Sequence, residues 1–345
     1  MISPGTSADT DGFDITPPFN DAGGVPEVAG VQRFRDMLEG TSAEDLLNGR
    51  KLKQYELLSK LGAGAMGVVY KARNTDTDDL VAVKILDASF VRQHDAVLRF
   101  EKEARLLASA NSPFITRLLD VCTDGEWNFL VAELVTGTTV AALLKERKHL
   151  SEKVAVNIAA DVAEALVDIS RHQIIHRDIK PDNILLGHSA DSNSEHGEDR
   201  FVVKLTDFGL ARHTQQTQSM ALTRANTVLG TPLYMSPEQF SDRDRLDARS
   251  DVYSLGATLF AMLTGRPPFP SDDTLQLAEL HRHETPPEVR TLRPGLSESV
   301  SLVVAKCLQK RPDQRYQSAT DLLADLQRLQ RGEATAITVH PVFPS

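Results

Sequence analysis

Two segments, His176-Arg177-Asp178-Ile179-Lys180-Pro181-Asp182-Asn183 and, downstream, Asp207-Phe208-Gly209, constrain this chain more than any other feature. The first puts a carboxylate, an ammonium and an amide into one short loop, and the second adds another carboxylate. Aspartate and asparagine oxygens are hard ligands that suit Mg2+, and Mg2+ brings phosphates with it. Phosphoryl transfer asks little covalent chemistry of a protein. It needs metal, a positioned base and charge clamps on a nucleotide.

Composition narrows the class. The chain has 345 residues, 41% hydrophobic and 25% charged, which is ordinary for a globular protein, and its length suggests about two domains. A net charge of −10 argues against general nucleic-acid binding. Residues 1–50 hold nine acids and three bases, so most of the negative charge lies in that stretch. Two cysteines, Cys122 and Cys307, stand far apart, which excludes a disulfide framework and fits a reducing, cytoplasmic setting. The first thirty residues lack a basic start followed by an apolar run, so no secretory signal is expected. Val252–Gly265 is uncharged but too short to span a membrane and reads as a buried core helix.

Along the chain, residues 1–24 are rich in Pro, Gly, Ser, Thr and Asp and read as disordered. Val31, Phe34, Met37, Leu38, Leu46 and Leu47 suggest a short helix within 31–48. Strands are expected at Tyr55–Leu61, Gly67–Ala72, Val81–Leu86, Phe114–Val121 and Trp127–Leu134, with one helix over Ala96–Ala110. After a linker, Val135–Thr138, Ser151 is a candidate N-cap. Ala155, Ile158, Val162, Leu166 and Ile169 then repeat on one helical face. Strands first and helices later argue α+β with two lobes. The polar stretch 188–200 stretches the interval from Asn183 to Asp207 to 24 positions and reads as an extended surface hairpin.

Gly62-Ala63-Gly64-Ala65-Met66-Gly67-Val68 would let the backbone approach phosphates and offer amide donors. Alone the pattern is weak, since dinucleotide-binding folds also carry it, but there a helix follows and here a strand does. Val81-Ala82-Val83-Lys84 follows, and an inward lysine on a buried strand demands a partner. A triphosphate and a glutamate would serve. Glu103, nineteen positions after Lys84, is the candidate because it shares a face with Leu107; Glu101 is the rival.

In sum these motifs resemble the eukaryotic-like (Hanks-type) serine/threonine protein kinases, in wording the bacterial members, over residues 55 to about 328. The resemblance implies a bilobal protein kinase fold: a β-rich N-lobe with one helix (55–134), a hinge (133–138) and a mainly helical C-lobe (139–328), between an acidic extension (1–50) and a tail (329–345). It implies ATP and Mg2+ as cofactors, Asp178 as catalytic base, Lys180 neutralising the transferred phosphoryl, and the Lys84–Glu103 pair on the phosphates. Asn183 and Asp207 would hold metal. Leu61, Gly62, Gly64, Gly67, Val69, Ala82, Lys84, Glu133, Val135 and Leu185 would meet the nucleotide. Ala132 falls at the gatekeeper position and would leave the back of the pocket open. Thr139 stands where an acidic residue often meets ribose.

His176 would stack under Phe208, in a column with Leu107 and Leu118. Thr231 would bond Asp178 and Lys180, Glu238 would pair with Arg315, and Asp251 would hold the catalytic-loop backbone. Ser236 replaces the usual alanine before Pro237-Glu238. Arg177 wants an anion, which phosphorylation of Thr223 or Thr227, with Ser219 and Thr217 behind them, would supply. The implied partners are protein substrates with Ser or Thr acceptors, with a mild liking for basic flanks near Asp182, and a second copy for transient autophosphorylation. No nucleic acid and no membrane segment are expected. The alternatives are a pseudokinase that binds ATP as a scaffold and a small-molecule phosphotransferase. Residues 1–50 could also form an interaction arm.

Overall fold

The computed structural model describes residues 47–64, 67–86, 112–125, 127–188, 201–208, 232–240 and 246–335, with Ala110 and Ile337. The helices expected within 31–48 and over Ala96–Ala110 fall outside these residues almost entirely.

The small lobe is an antiparallel sheet of β1 (Lys51–Leu52), β2 (Tyr55–Gly64), β3 (Gly67–Asn74), β4 (Leu80–Leu86), β5 (Leu118–Asp124) and β6 (Trp127–Glu133), ordered β1-β2-β3-β4-β6-β5. Period-two alternation builds it: Val68, Tyr70 and Ala72, Val81, Val83 and Ile85, and Phe129 and Val131 all point into one core. Leu47 and Leu52 are buried in that same core, so the packed lobe takes in residues before Tyr55. At Gly67 the β2–β3 turn needs a residue without a side chain. Its φ is +151°, and a Cβ there would collide with the Ile85 carbonyl.

The expected strand at Phe114–Val121 is displaced, because β5 begins only at Leu118. Phe114 N–H bonds Ser112 Oγ in a turn after which the chain crosses to the other lobe. There Thr116 N–H bonds Leu205 O and Leu205 N–H bonds Phe114 O. The linker is shorter than expected too, since β7 (Gly137–Thr139) pairs with β8 (Ile184–His188), and β8 with β9 (Phe201–Leu205). The β8–β9 ladder runs up to the pair His188 and Phe201, so residues 189–200 join its two ends.

The large lobe contains α1 (Val140–Arg147), α2 (Glu152–Arg171), α3 (Ala248–Thr264), α4 (Thr274–His283), α5 (Val289–Leu292), α6 (Glu298–Cys307) and α7 (Ala319–Gln330). Ser151 caps α2, its Oγ accepting from Val154 N–H at 3.3 Å. The α2 face at Ala155, Ile158, Val162, Leu166 and Ile169 is buried. Helix α3 is buried from Ser250 to Leu263 and ends at Gly265 in the left-handed region. No helix among the described residues is long and apolar enough to cross a membrane. The architecture is the α+β, two-lobed one.

Candidate active site

The loop between α2 and β8 carries the candidate residues His176 to Asn183, and α3 holds it from below. Asp251, in the first turn of α3, accepts from His176 N–H at 2.7 Å and from Arg177 N–H at 2.8 Å, one on each oxygen. Burial pushes its carboxyl up to about 6, against the two amides that favour the charged form. His176 is fully buried. Its Nδ1 accepts from Asp178 N–H at 3.3 Å, so its Nε2 donates to Thr206 O at 3.1 Å. Its ring lies 4.5 Å from that of Phe208, tilted by 46°. Leu118 is half-buried against the large-lobe core that contains Phe208, while Leu107 lies outside the described residues.

Asp178 Oδ2 receives both Lys180 Nζ and Asn183 Nδ2 at 3.0 Å, and the same amide reaches Asp178 O at 2.7 Å. A 3-10 turn over Pro181–Asn183 folds Asn183 back onto this carboxylate. Across the cleft, Lys84 Nζ on β4 meets Asp207 Oδ1 at 2.7 Å. Thr206 N–H bonds Asn183 O at 3.0 Å, which ties the two groups together. Asp207 and Arg177 sit at φ of +58° and +66°, a region that costs a non-glycine residue about 1–3 kcal/mol and clusters at functional sites.

Asn183 donates through its amide nitrogen, which leaves its side-chain oxygen as the atom suited to a hard cation. Asp207 already faces an ammonium. Among the described residues no three His, Cys, Asp or Glu cluster to hold a metal by themselves. The donor set of the Asn183 side-chain oxygen and the Asp207 carboxylate fits Mg2+, which takes one or two carboxylates and completes its shell with phosphates and water.

The remaining candidates lie on or beside strands β2, β3, β4, β6 and β8 or fall outside the described residues. Leu61, Gly62 and Gly64 end β2, with Gly62 opposite Val69 and Gly64 opposite Gly67. Ala82 lies opposite Ala132 and Val69 opposite Lys84. Leu185 lies opposite Thr139, whose Oγ1 already accepts from Ala142 N–H at 3.0 Å as the cap of α1. Val135 lies between β6 and β7. Glu133 spends its N–H on Arg117 O, and its carboxylate takes Lys204 Nζ at 2.6 Å and Arg117 N–H at 2.9 Å. Glu103, Thr217, Ser219, Thr223, Thr227 and Thr231 lie outside the described residues, so the partner described for Lys84 is Asp207.

Glu238 and Arg315 form a bidentate pair, Nη1 to Oε1 at 2.7 Å and Nη2 to Oε2 at 2.9 Å. Burial tends to raise the Glu238 carboxyl, but Arg315 and the Ser250 hydroxyl outweigh it and hold the group below the usual carboxylate range. Two contacts escaped the sequence reading. The Lys204–Glu133 pair joins β9 to the end of β6, and no local pattern announces such a pairing. Gln239 Nε2 donates to Arg177 O at 2.9 Å, while its Oε1 accepts from Ser236 N–H and Oγ–H at 2.9 and 3.1 Å. Its signal was available as Ser236-Pro237-Glu238-Gln239, the S-x-x-Q spacing of a capping box.

Residues 55–326 match the family described as "protein kinase domain". A probable serine/threonine-protein kinase of Clostridium perfringens is 36% identical over 83% of this chain and 39% of its own length. Serine/threonine-protein kinase PknB of Mycobacterium tuberculosis is 38% identical over 81% of this chain and 43% of its own. The chain thus spans about two fifths of these relatives' length. The crystal structure of the Mycobacterium tuberculosis PknI kinase domain is similar in fold, with a TM-score of 0.63, 23% identity, and 82% of this chain and 99% of that one covered. A structure of Rad53 in complex with AMP-PNP has a TM-score of 0.63 and 28% identity, with 79% of this chain and 64% of that one covered.

Proposed function

The chain belongs to the protein kinase family, and from this premise we propose that it transfers the γ-phosphoryl group of ATP to serine and threonine hydroxyls of proteins. The observation that carries the reading is the meeting of Asp178, Lys180 and Asn183 on one carboxylate, beside the Lys84–Asp207 pair. Asp178 orients the acceptor hydroxyl and takes its proton. The acceptor oxygen forms a bond to the γ-phosphorus, and the bond to the β–γ bridging oxygen breaks with its electron pair leaving on ADP. Lys180, 3.0 Å from the base, neutralises charge on the moving phosphoryl. Lys84 clamps the non-transferred phosphates once nucleotide draws it from Asp207. Asn183 and Asp207 would hold Mg2+, which would supply charge neutralisation on the phosphate oxygens. Rad53, a relative in fold, takes the ATP analogue AMP-PNP, which supports nucleotide in this cleft.

The small-lobe sheet and its glycine turn form the roof over the nucleotide, and Leu61, Val69, Ala82 and Leu185 its apolar walls. Glu103 pairs with Lys84 in the active arrangement, and a second copy phosphorylates Thr223 or Thr227. The kinase domain takes in residues 55–328.

The test is transfer of radiolabelled γ-phosphate from ATP to a protein acceptor in Mg2+. Asp178→Asn should lower transfer by about 10²–10⁴-fold while nucleotide still binds. Nucleotide binding without transfer in the unmodified protein would make it a scaffold instead. Label passing to metabolites rather than to protein would make it a small-molecule phosphotransferase.

A further inference from the structure

We propose that Gln239 is a positioning residue for the catalytic aspartate, acting as a clamp on the strained Arg177–Asp178 peptide with its amide locked in orientation by Ser236. The proposal rests on the phosphoryl-transfer reading above, which assigns Asp178 its role.

Arg177 is left-handed at φ +66°, one residue before the base. Such a conformation persists only where the surroundings over-determine it. Here both faces of the residue are gripped. Its N–H goes to Asp251 Oδ1 at 2.8 Å from α3 below, and its C=O receives Gln239 Nε2 at 2.9 Å from the Pro237–Phe240 turn. That C=O belongs to the peptide whose N–H is Asp178's own, so rotation of the peptide turns the base. An amide can face either way, and only one way serves. Ser236 N–H and Oγ–H both donate to Gln239 Oε1, which leaves Nε2 to point at Arg177. Ser236 is fully buried and Gln239 nearly so, and the turn is closed by Gln239 N–H to Ser236 O at 3.0 Å. The serine that replaces the family's usual alanine at this place therefore has a use. Its hydroxyl adds a second donor to the side of the amide that must be oxygen. Glu238, between them, is pinned by Arg315, so the turn has a rigid base.

The experiment compares the full chain with Gln239→Met, which keeps length and loses the donor, and Ser236→Ala, which loses one of the two orienting donors. Steady-state transfer should show kcat down by about 10-fold for Gln239→Met and about 2–3-fold for Ser236→Ala, with KM for ATP unchanged, because misplacement of a reacting group costs rate rather than nucleotide binding. Amide hydrogen exchange over residues 176–180 should accelerate in Gln239→Met. Unchanged kcat in both variants, or a fall matched by a rise in KM for ATP, overturns the proposal. If the unmodified protein transfers no phosphate, the kinase reading fails. The exchange measurement still decides the clamp, since unchanged protection over 176–180 overturns it. If Gln239→Met does not fold, Ser236→Ala carries both readouts.

Discussion

A single buried arginine shows how much a residue's environment can demand. The Arg315 side chain has no exposed surface, and it is satisfied by two bonds to Glu238 and by the carbonyls of Gln309, Arg249 and Lys310. Removing one partner strands the other as a buried charge, which costs about 3–5 kcal/mol. Arg315→Met should lower stability by that much in urea unfolding, and Glu238→Gln by less. The depressed Glu238 carboxyl makes the pair's contribution fully present above the ordinary carboxylate range and lost as pH falls through the lower folded value. An Arg315→Met protein as stable as the parent would remove the pair from the fold's supports. This pairing was legible in the sequence because the family motif names both residues. The Gln239 contact was not, although its S-x-x-Q spacing was present, because the motif points to a turn and says nothing of the loop that the turn will touch.

Among the elements, helices α2 and α3 were read correctly in kind, since a cap with a repeating apolar face in α2 and an uncharged run in α3 are local properties. The strand expected from Phe114 and the linker expected through Thr138 were misjudged. Both segments are polar–apolar mixtures whose partners, Leu205 and β8, lie far along the chain. Helix α4 carries the element-scale prediction. His281 is fully buried among Phe240, Phe269 and Tyr253, with the Tyr253 hydroxyl 2.9 Å from its Nδ1. Burial, with Lys310 nearby, pushes its imidazole down to about 4 from 6.5. The unfolded chain takes up the proton first as pH falls. Stability is therefore full above 6.5 and lost between 6.5 and about 4. His281→Phe should flatten that part of the stability–pH curve measured by urea unfolding, while lowering the whole curve because Tyr253 loses its partner. A slope unchanged by the substitution would place the acid sensitivity elsewhere.

At the scale of the whole molecule the described residues form two buried clusters, and the larger one reaches into the small-lobe sheet: it includes Leu86 of β4, and Leu118 and Val121 of β5 and Leu130 of β6 pack against it. Polar crossings join these apolar ones among the described residues: the strap from Phe114 to Thr116 on Leu205, and the pairs Lys84–Asp207 and Lys204–Glu133. A ligand that engages both lobes should therefore report on the whole chain. ATP with Mg2+ at about 100 times its dissociation constant should stabilise the protein by about 2.7 kcal/mol. In thermal unfolding the shift should shrink when Mg2+ is chelated and in Asp207→Asn. A shift as large without Mg2+ would count against the assignment of Asn183 and Asp207 to metal.

The α+β class, the order of the motifs, the buried faces of β3, β4 and α2 and the residue types that meet in the loop between α2 and β8 were determined by the sequence alone. Each depends on residue type and spacing over a few turns or strands. Which oxygen meets which donor was decided only in the folded molecule. The Lys84–Asp207 contact, the Lys204–Glu133 pair, the left-handed Arg177 and the amide that faces it join segments distant in the chain. Such meetings depend on how whole elements pack, and no local periodicity encodes that.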